Sequence, residues 1–142
     1  MRSLLDVNVL LALLDADHAD HHRATEWADA GLVDGWASCA ITENGVVRVL
    51  SQPRYPSPVP VAHAVEVLER STAAGNHEFW PCSVSILDPA AVDRTRLHGP
   101  KQVTDAYLLA LAVAHDGRLV TFDRGVVLAA VPGAVPENLE VL

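Results

Sequence analysis

Short apolar runs alternate with stretches of helical periodicity, and this alternation constrains the chain more than any other feature. "SLLDV" (3–7) reads as a buried strand ending in an aspartate, and "NVLLALLDA" (8–16) continues as an apolar helix. "GWASC" (35–39) is a second strand, a third lies within "EFWPCSVS" (78–85), "RLVTF" (118–122) is a fourth, and "LEVL" (139–142) reads as a fifth. Helical patterns fill the gaps at 21–31, 41–52, 61–75 and 102–116. Two shorter helices are expected, at 124–131 and at 88–97, where Asp88 would be the N-cap and Pro89 the first helical residue. Strands separated by helices need crossover connections, so the pattern predicts right-handed βαβ units and a parallel sheet.

The helix at 102–116 carries the strongest signal. Val103, Ala106, Tyr107, Ala110, Leu111 and Ala114 form one face and Leu108, Leu109, Ala112 and Val113 a second, so it is expected to be buried on both sides. Gly45 sits inside another helix at a cost of about 1 kcal/mol relative to Ala, which predicts close packing there. Four prolines in residues 53–60 make that segment a loop, too short to be a linker. A chain of 142 residues is the usual size of one domain, so a single domain over 1–142 is expected.

Composition narrows the function classes. Half the residues are apolar and 20% charged, which excludes disordered and low-complexity classes. The apolar runs stop short of the ~18–20 residues of a membrane span, and no basic segment with a cleavage site opens the chain. Cys39 and Cys82 form no CxxC pair and are read as reduced, buried thiols of a cytoplasmic protein. A net charge of −8 argues against gripping nucleic acid by bulk charge, direct DNA binding included. It leaves open an enzyme that meets phosphates through a bound cation.

Four acids stand where such a cation would sit. In an open parallel sheet, sites form beyond the carboxyl ends of the strands. Asp6 and Asp123 follow two of the strands, and Glu43 and Asp105 fall in or near the first turns of two helices. Each has a simpler reading: Asp123 as the cap of the next helix, Glu43 and Asp105 as partners of a helix dipole. Asp6 resists one, because it interrupts the apolar stretch "SLLDVNVLLALL", where a buried acid needs a partner or a metal. Clustered carboxylates with no Cys or His beside them select Mg2+ or Mn2+ over zinc. His18 and His22 have zinc-like i,i+4 spacing, but their stretch straddles a helix break and is read as opening the next helix. Trp27, Trp36 and Trp80 are read as core.

The segments "LLDVNVLLALL", "AITENGVVRVLSQP" and "VTDAYLLALAVAHDGRLVTFDRG" together resemble the PIN-domain ribonucleases, and more narrowly the VapC toxins. The resemblance covers nearly the whole chain. It implies a three-layer α/β/α sandwich around a parallel sheet of four to five strands, and Mg2+- or Mn2+-dependent endoribonuclease activity on an RNA substrate. It also implies a homodimer and a cognate antitoxin that blocks the site. The family's acidic quartet carries over onto Asp6, Glu43, Asp105 and Asp123, with Asn8, Thr104 and Thr121 beside it as supporting residues. Asp6, Asp105 and Asp123 would form the core metal cluster, and Glu43 would hold a second metal or orient the attacking water. Arg124 is read as either a phosphate contact or a solvated surface residue. The apolar faces at 8–14, 46–50 and 61–68 would receive a partner helix. The competing readings are a phospho-accepting receiver-like signalling domain, a dehalogenase-type phosphatase and a catalytically inactive PIN-like binding module. Lys101, the only lysine, precedes a helix, which counts against a receiver, and Asp6-Val7-Asn8 lacks the Asp-x-Asp of the phosphatases.

Overall fold

In a computed structural model that describes residues 1–142, the apolar runs become five parallel strands in the order β3-β2-β1-β4-β5. They are β1 (Ser3–Leu5), β2 (Trp36–Ser38), β3 (His77–Phe79), β4 (Arg118–Thr121) and β5 (Leu139–Val141). Leu4 lies opposite Ala37 on one side and Leu119 on the other, and Leu119 lies opposite Leu139. Side chains alternate between the faces of a sheet. Leu4, Ala37 and Leu119 therefore share one face, while Leu5 and Val120 share the other.

Five helices cover the two faces: α1 (Val7–Leu14), α2 (His21–Gly31), α3 (Ala40–Leu50), α4 (Val61–Ala73) and α5 (Gln102–Ala114). The Leu4 face packs with Leu108, Leu109 and Leu111 of α5 and with Trp80 and Val92. The Leu5 face packs with Val9 and Leu10 of α1, Val46 and Leu50 of α3, and Ala64 of α4. Two cores back to back across one sheet make the expected three-layer α/β/α sandwich. The middle of α5 is buried on both sides, with Ala106, Leu108, Leu109, Ala110, Leu111 and Ala112 all inaccessible or nearly so, whereas Val103 and Ala114 at its ends, expected on the first face, are exposed. Each such leucine is worth about 1.5–3 kcal/mol of burial.

Gly45 is the close approach that its sequence position predicts. A Cβ there would stand 2.5 Å from Val7 Cγ2, so α3 can press against the start of α1 only without a side chain. Arg118 ties the far edge: Nε donates to Ser3 Oγ at 2.9 Å and Nη1 pairs with Glu140 at 2.9 Å, while Trp27 Nε1 donates to the other oxygen of Glu140 at 2.8 Å. Trp80 is fully buried, and Trp27 and Trp36 pack against the Leu5-face core.

Four expectations are corrected. Residues 88–97 are not an α-helix. Asp88 does cap one turn, its Oδ1 accepting from Ala90 N at 2.9 Å, but the chain then turns Val92 into the core. Asp93 restarts it as a 3-10 turn at Arg94–Arg96. Nor is 124–131 a helix; Gly125 and the β-branched pair Val126-Val127 leave only a 3-10 turn at Leu128–Ala130. The two irregular segments find each other, with Asp93 N donating to Ala130 O at 2.8 Å. The third strand, expected within 78–85, overlaps only the start of that segment: it begins one residue earlier at His77 and ends at Phe79, before Pro81, which lacks the donor a ladder needs. Of the cysteines, both free, Cys39 is buried but Cys82 is exposed.

Candidate metal centre

β1 and β4 are neighbours, so the residues that leave their carboxyl ends are brought side by side. Asp6 leaves β1, caps α1 and is 8% exposed. Its Oδ1 accepts from Val7 N at 2.7 Å and its Oδ2 accepts from the Thr121 hydroxyl at 2.6 Å. Thr121, the last residue of β4, is the hub. While donating to Asp6, its Oγ1 accepts from Asn8 Nδ2 at 3.1 Å and from the backbone N–H of Asp123 at 3.0 Å. The single proton and both lone pairs of that hydroxyl are thus in use. Asn8 closes the ring by accepting from Phe122 N at 3.2 Å. Asn8 and Thr121 therefore support Asp6 and Asp123 as expected, whereas Thr104 and Arg124 are exposed to solvent.

Asp123 is exposed and does not cap a helix. Its Oδ1 accepts from Gly125 N at 2.6 Å, forming an Asx turn. Asp105 stands in the first turn of α5. Burial, then the charges of Asp6 and Asp123, push its carboxyl up to about 6. Burial also raises Asp6, with the charge of Asp123 adding to the rise and the bonds from Thr121, Val7 and Asn8 opposing it. No hydrogen bond helps to hold the Asp105 carboxylate.

Glu43 is held differently. Ser38 Oγ donates to its Oε1 at 2.6 Å, and the same Ser38 oxygen lies 2.8 Å from His77 Nε2. The charges that raise Asp105 are those of Asp6 and Asp123, with no contribution from Glu43. The structure thus ties Asp6 and Asp123 together through Thr121, puts Asp105 where their charges act on it, and gives Glu43 its own support at the end of β2. Ser38 and His77 escaped the sequence reading. The signal was there: a hydroxyl residue ends β2 shortly before Glu43, as Thr121 ends β4 shortly before Asp123.

The three aspartates fit a hard cation. They offer only oxygen, and one of them is a half-buried carboxylate with two like charges beside it and no hydrogen-bond donor. In the histidine stretch, His18 Nδ1 accepts from Asp20 N at 3.1 Å, outside α2, and His22 lies beside Glu26 on the helix surface.

The PIN-domain family model matches residues 3–133. Ribonuclease VapC44 of Mycobacterium tuberculosis (strain ATCC 25618 / H37Rv) is 67% identical over 142 residues, the full length of both chains. Ribonuclease VapC38 of the same strain is 46% identical over 125 residues, covering 87% of this chain and 86% of the relative. Two solved structures share the fold. A chain of VapBC2 from Rickettsia felis bound to a promoter DNA fragment has a TM-score of 0.60 at 13% identity, covering 100% of this chain and 99% of that one. A chain of FitAB bound to the IR36 DNA fragment has a TM-score of 0.62 at 22% identity, covering 92% of each. Sequence, sheet order and the aspartates at the carboxyl ends of β1 and β4 agree: the chain belongs to the PIN-domain family and, within it, to the VapC proteins.

Proposed function

We propose that this chain is an endoribonuclease that needs Mg2+ or Mn2+ and acts as the toxin of a toxin–antitoxin pair. The observation that carries this reading is geometric: Asp6 and Asp123 leave the carboxyl ends of the neighbouring strands β1 and β4 and are tied together through the Thr121 hydroxyl, with Asp105 in the first turn of α5. The chain is also closely related along its whole length to a protein named a ribonuclease. Asp6, Asp105 and Asp123 would hold the ion, with Glu43 serving a second one or the attacking water. The ion would supply a Lewis acid that activates water and offsets charge on the phosphodiester. The protein's own share is orientation. Thr121 fixes one oxygen of Asp6 and the turn that presents Asp123, and Asn8 locks Thr121.

The off state is proposed to be a second protein, the antitoxin. A groove of about 830 Å3 runs between α3 and α4, with Val47, Val61, Val65 and Leu68 along it and Glu43 at its edge. Val61 and Val65 are 59% and 47% exposed, so an amphipathic helix laid there would cover apolar surface. Its cationic side chains would meet carboxylates. The face of α1 is not part of this surface, because Val9, Leu10, Leu11 and Ala12 are buried in the core. RNA as substrate, a homodimer and the absence of direct DNA binding by the toxin alone complete the proposal. No helix is long and apolar enough to cross a membrane.

The test is incubation of purified, antitoxin-free protein with labelled cellular RNA, with and without Mg2+ or Mn2+. Cleavage that needs the ion and disappears in Asp6→Asn supports the reading. Cleavage indifferent to chelation would overturn its metal part, and inhibition by the co-purified product of the adjacent reading frame would identify the antitoxin.

A further inference from the structure

We infer that His77 is a positioning residue for Glu43, acting through Ser38, and this rests on the ribonuclease reading above. Ser38 is fully buried, and its hydroxyl has one hydrogen to give. A carboxylate can only accept, so the 2.6 Å contact to Glu43 Oε1 takes that hydrogen. The 2.8 Å contact between Ser38 Oγ and His77 Nε2 must then be made with the hydrogen on the imidazole. The three groups form one directed chain, His77 Nε2–H to Ser38 Oγ–H to Glu43, in which each bond polarises the next.

The imidazole is fixed for this task. His77 pairs in register with Trp36 across β2 and β3, and the two rings pack at 4.4 Å between centroids. Burial lowers the His77 pKa, which favours a neutral ring. The charged groups around it are Arg2, Glu78 and Glu43. Arg2 is committed elsewhere, its Nε to Glu78 at 3.0 Å and its Nη1 to the carbonyl of Asn76 at 2.8 Å. Without a donor at His77 the Ser38 oxygen loses the bond that fixes its lone pair and polarises its hydrogen toward Glu43, so the hold on Glu43 weakens.

The experiment has two arms. In the metal-free full chain, labelled with 15N at histidine and held at pH 8, long-range 1H–15N correlation spectra read the His77 tautomer without RNA. The wild type is expected in the Nε2–H form. Glu43→Ala, which frees the Ser38 hydrogen, is expected to move His77 toward the Nδ1–H form. An Nδ1–H wild type, or a tautomer unmoved by Glu43→Ala, overturns the chain of donors. In the second arm, His77→Phe keeps a ring against Trp36 but removes the donor, while His77→Gln restores an N–H near Nε2. Loss of a residue that orients a metal-site carboxylate costs roughly 10–100-fold. His77→Phe should lose cleavage by that factor at unchanged KM and unchanged melting temperature, and His77→Gln should recover most of it. A folded His77→Phe protein with wild-type kcat, or equal losses in both variants, overturns the positioning role. A wild type that cleaves no RNA would count against the ribonuclease reading instead, and the tautomer arm would still decide the donor chain.

Discussion

Asp6 and Glu43 are both acids that follow a strand and lean on a strand-ending hydroxyl, yet they are held in opposite ways. Asp6 is almost wholly buried, and burial, with the charge of Asp123 adding to it, raises its carboxyl while the bond from Thr121 opposes the rise. Glu43 is half-buried, has no acid among its hydrogen-bond partners, and hangs from a serine that a histidine backs up. The first arrangement stores electrostatic stress that a cation would relieve. The second stores orientation. A site that must bind an ion and also aim a group at a reacting phosphate needs both, and here they grow from different strands, the first from β1 and its neighbour β4, the second from β2.

The largest expected effect breaks the first arrangement. Asp105→Ala should lower RNA cleavage by on the order of a thousandfold while the fold survives, since the several kcal/mol of charge stabilisation from the ion would go with its ligand. Circular dichroism with a gel-based cleavage assay checks both halves. Next comes the support beneath Asp6. Thr121→Val removes a hydrogen bond to a charged group and should destabilise the protein by about 1.5–3 kcal/mol in urea titrations. Glu43's side has its own weak point. Gly45→Ala gains helix propensity of about 1 kcal/mol, but overpacking against Val7 should cost about 1–3 kcal/mol. A net loss of stability is expected, with activity falling as α3 shifts; a variant more stable than wild type would show that α1 yields.

The smallest effect sharpens the comparison by pH. Because the folded-state pKa of Asp105 is raised to about 6, the folded chain binds a proton there that the unfolded chain has already released. The metal-free protein should therefore lose stability as pH rises from about 4 through about 6, the reverse of a salt-bridged carboxylate. Asp105→Asn should flatten that slope and raise the melting temperature at pH 7 by a few degrees. The gain is worth at most about 1 kcal/mol, since the half-buried group is still partly screened by solvent. Saturating Mg2+ should cancel the difference, in calorimetry at two pH values, by stabilising only the protein that retains the ligand.

The parts of the molecule written in local periodicity were readable from the residues. α5 announced its two buried faces, Gly45 its close contact, and "LLD" and "VTFD" their positions at the carboxyl ends of strands. What failed was structure decided by partners distant in sequence. Asp88-Pro89 is a sound helix start, but the turn it begins is cut short where Val92 enters the core and Asp93 bonds to Ala130. The convergence of Asp6, Asp105 and Asp123 could be placed because strand ends and first helical turns have fixed places in a parallel sheet. Glu43's separate support could not, since it depends on which residue of β3 lies beside β2. That register sets His77 opposite Trp36 and within reach of Ser38.

The bond between Thr121 and Asp6 joins residues 115 positions apart. β1 leaves the ribosome first but cannot gain its β4 neighbour until most of the chain has been synthesised. Contacts so remote in sequence close late and slowly. A copy that stops before β4 therefore lacks the hydroxyl that steadies Asp6 and has no Asp123. The order of synthesis gives the cell an interval in which this chain exists without a finished site, and that interval ends only when the last sixth of the sequence folds back onto the first few residues.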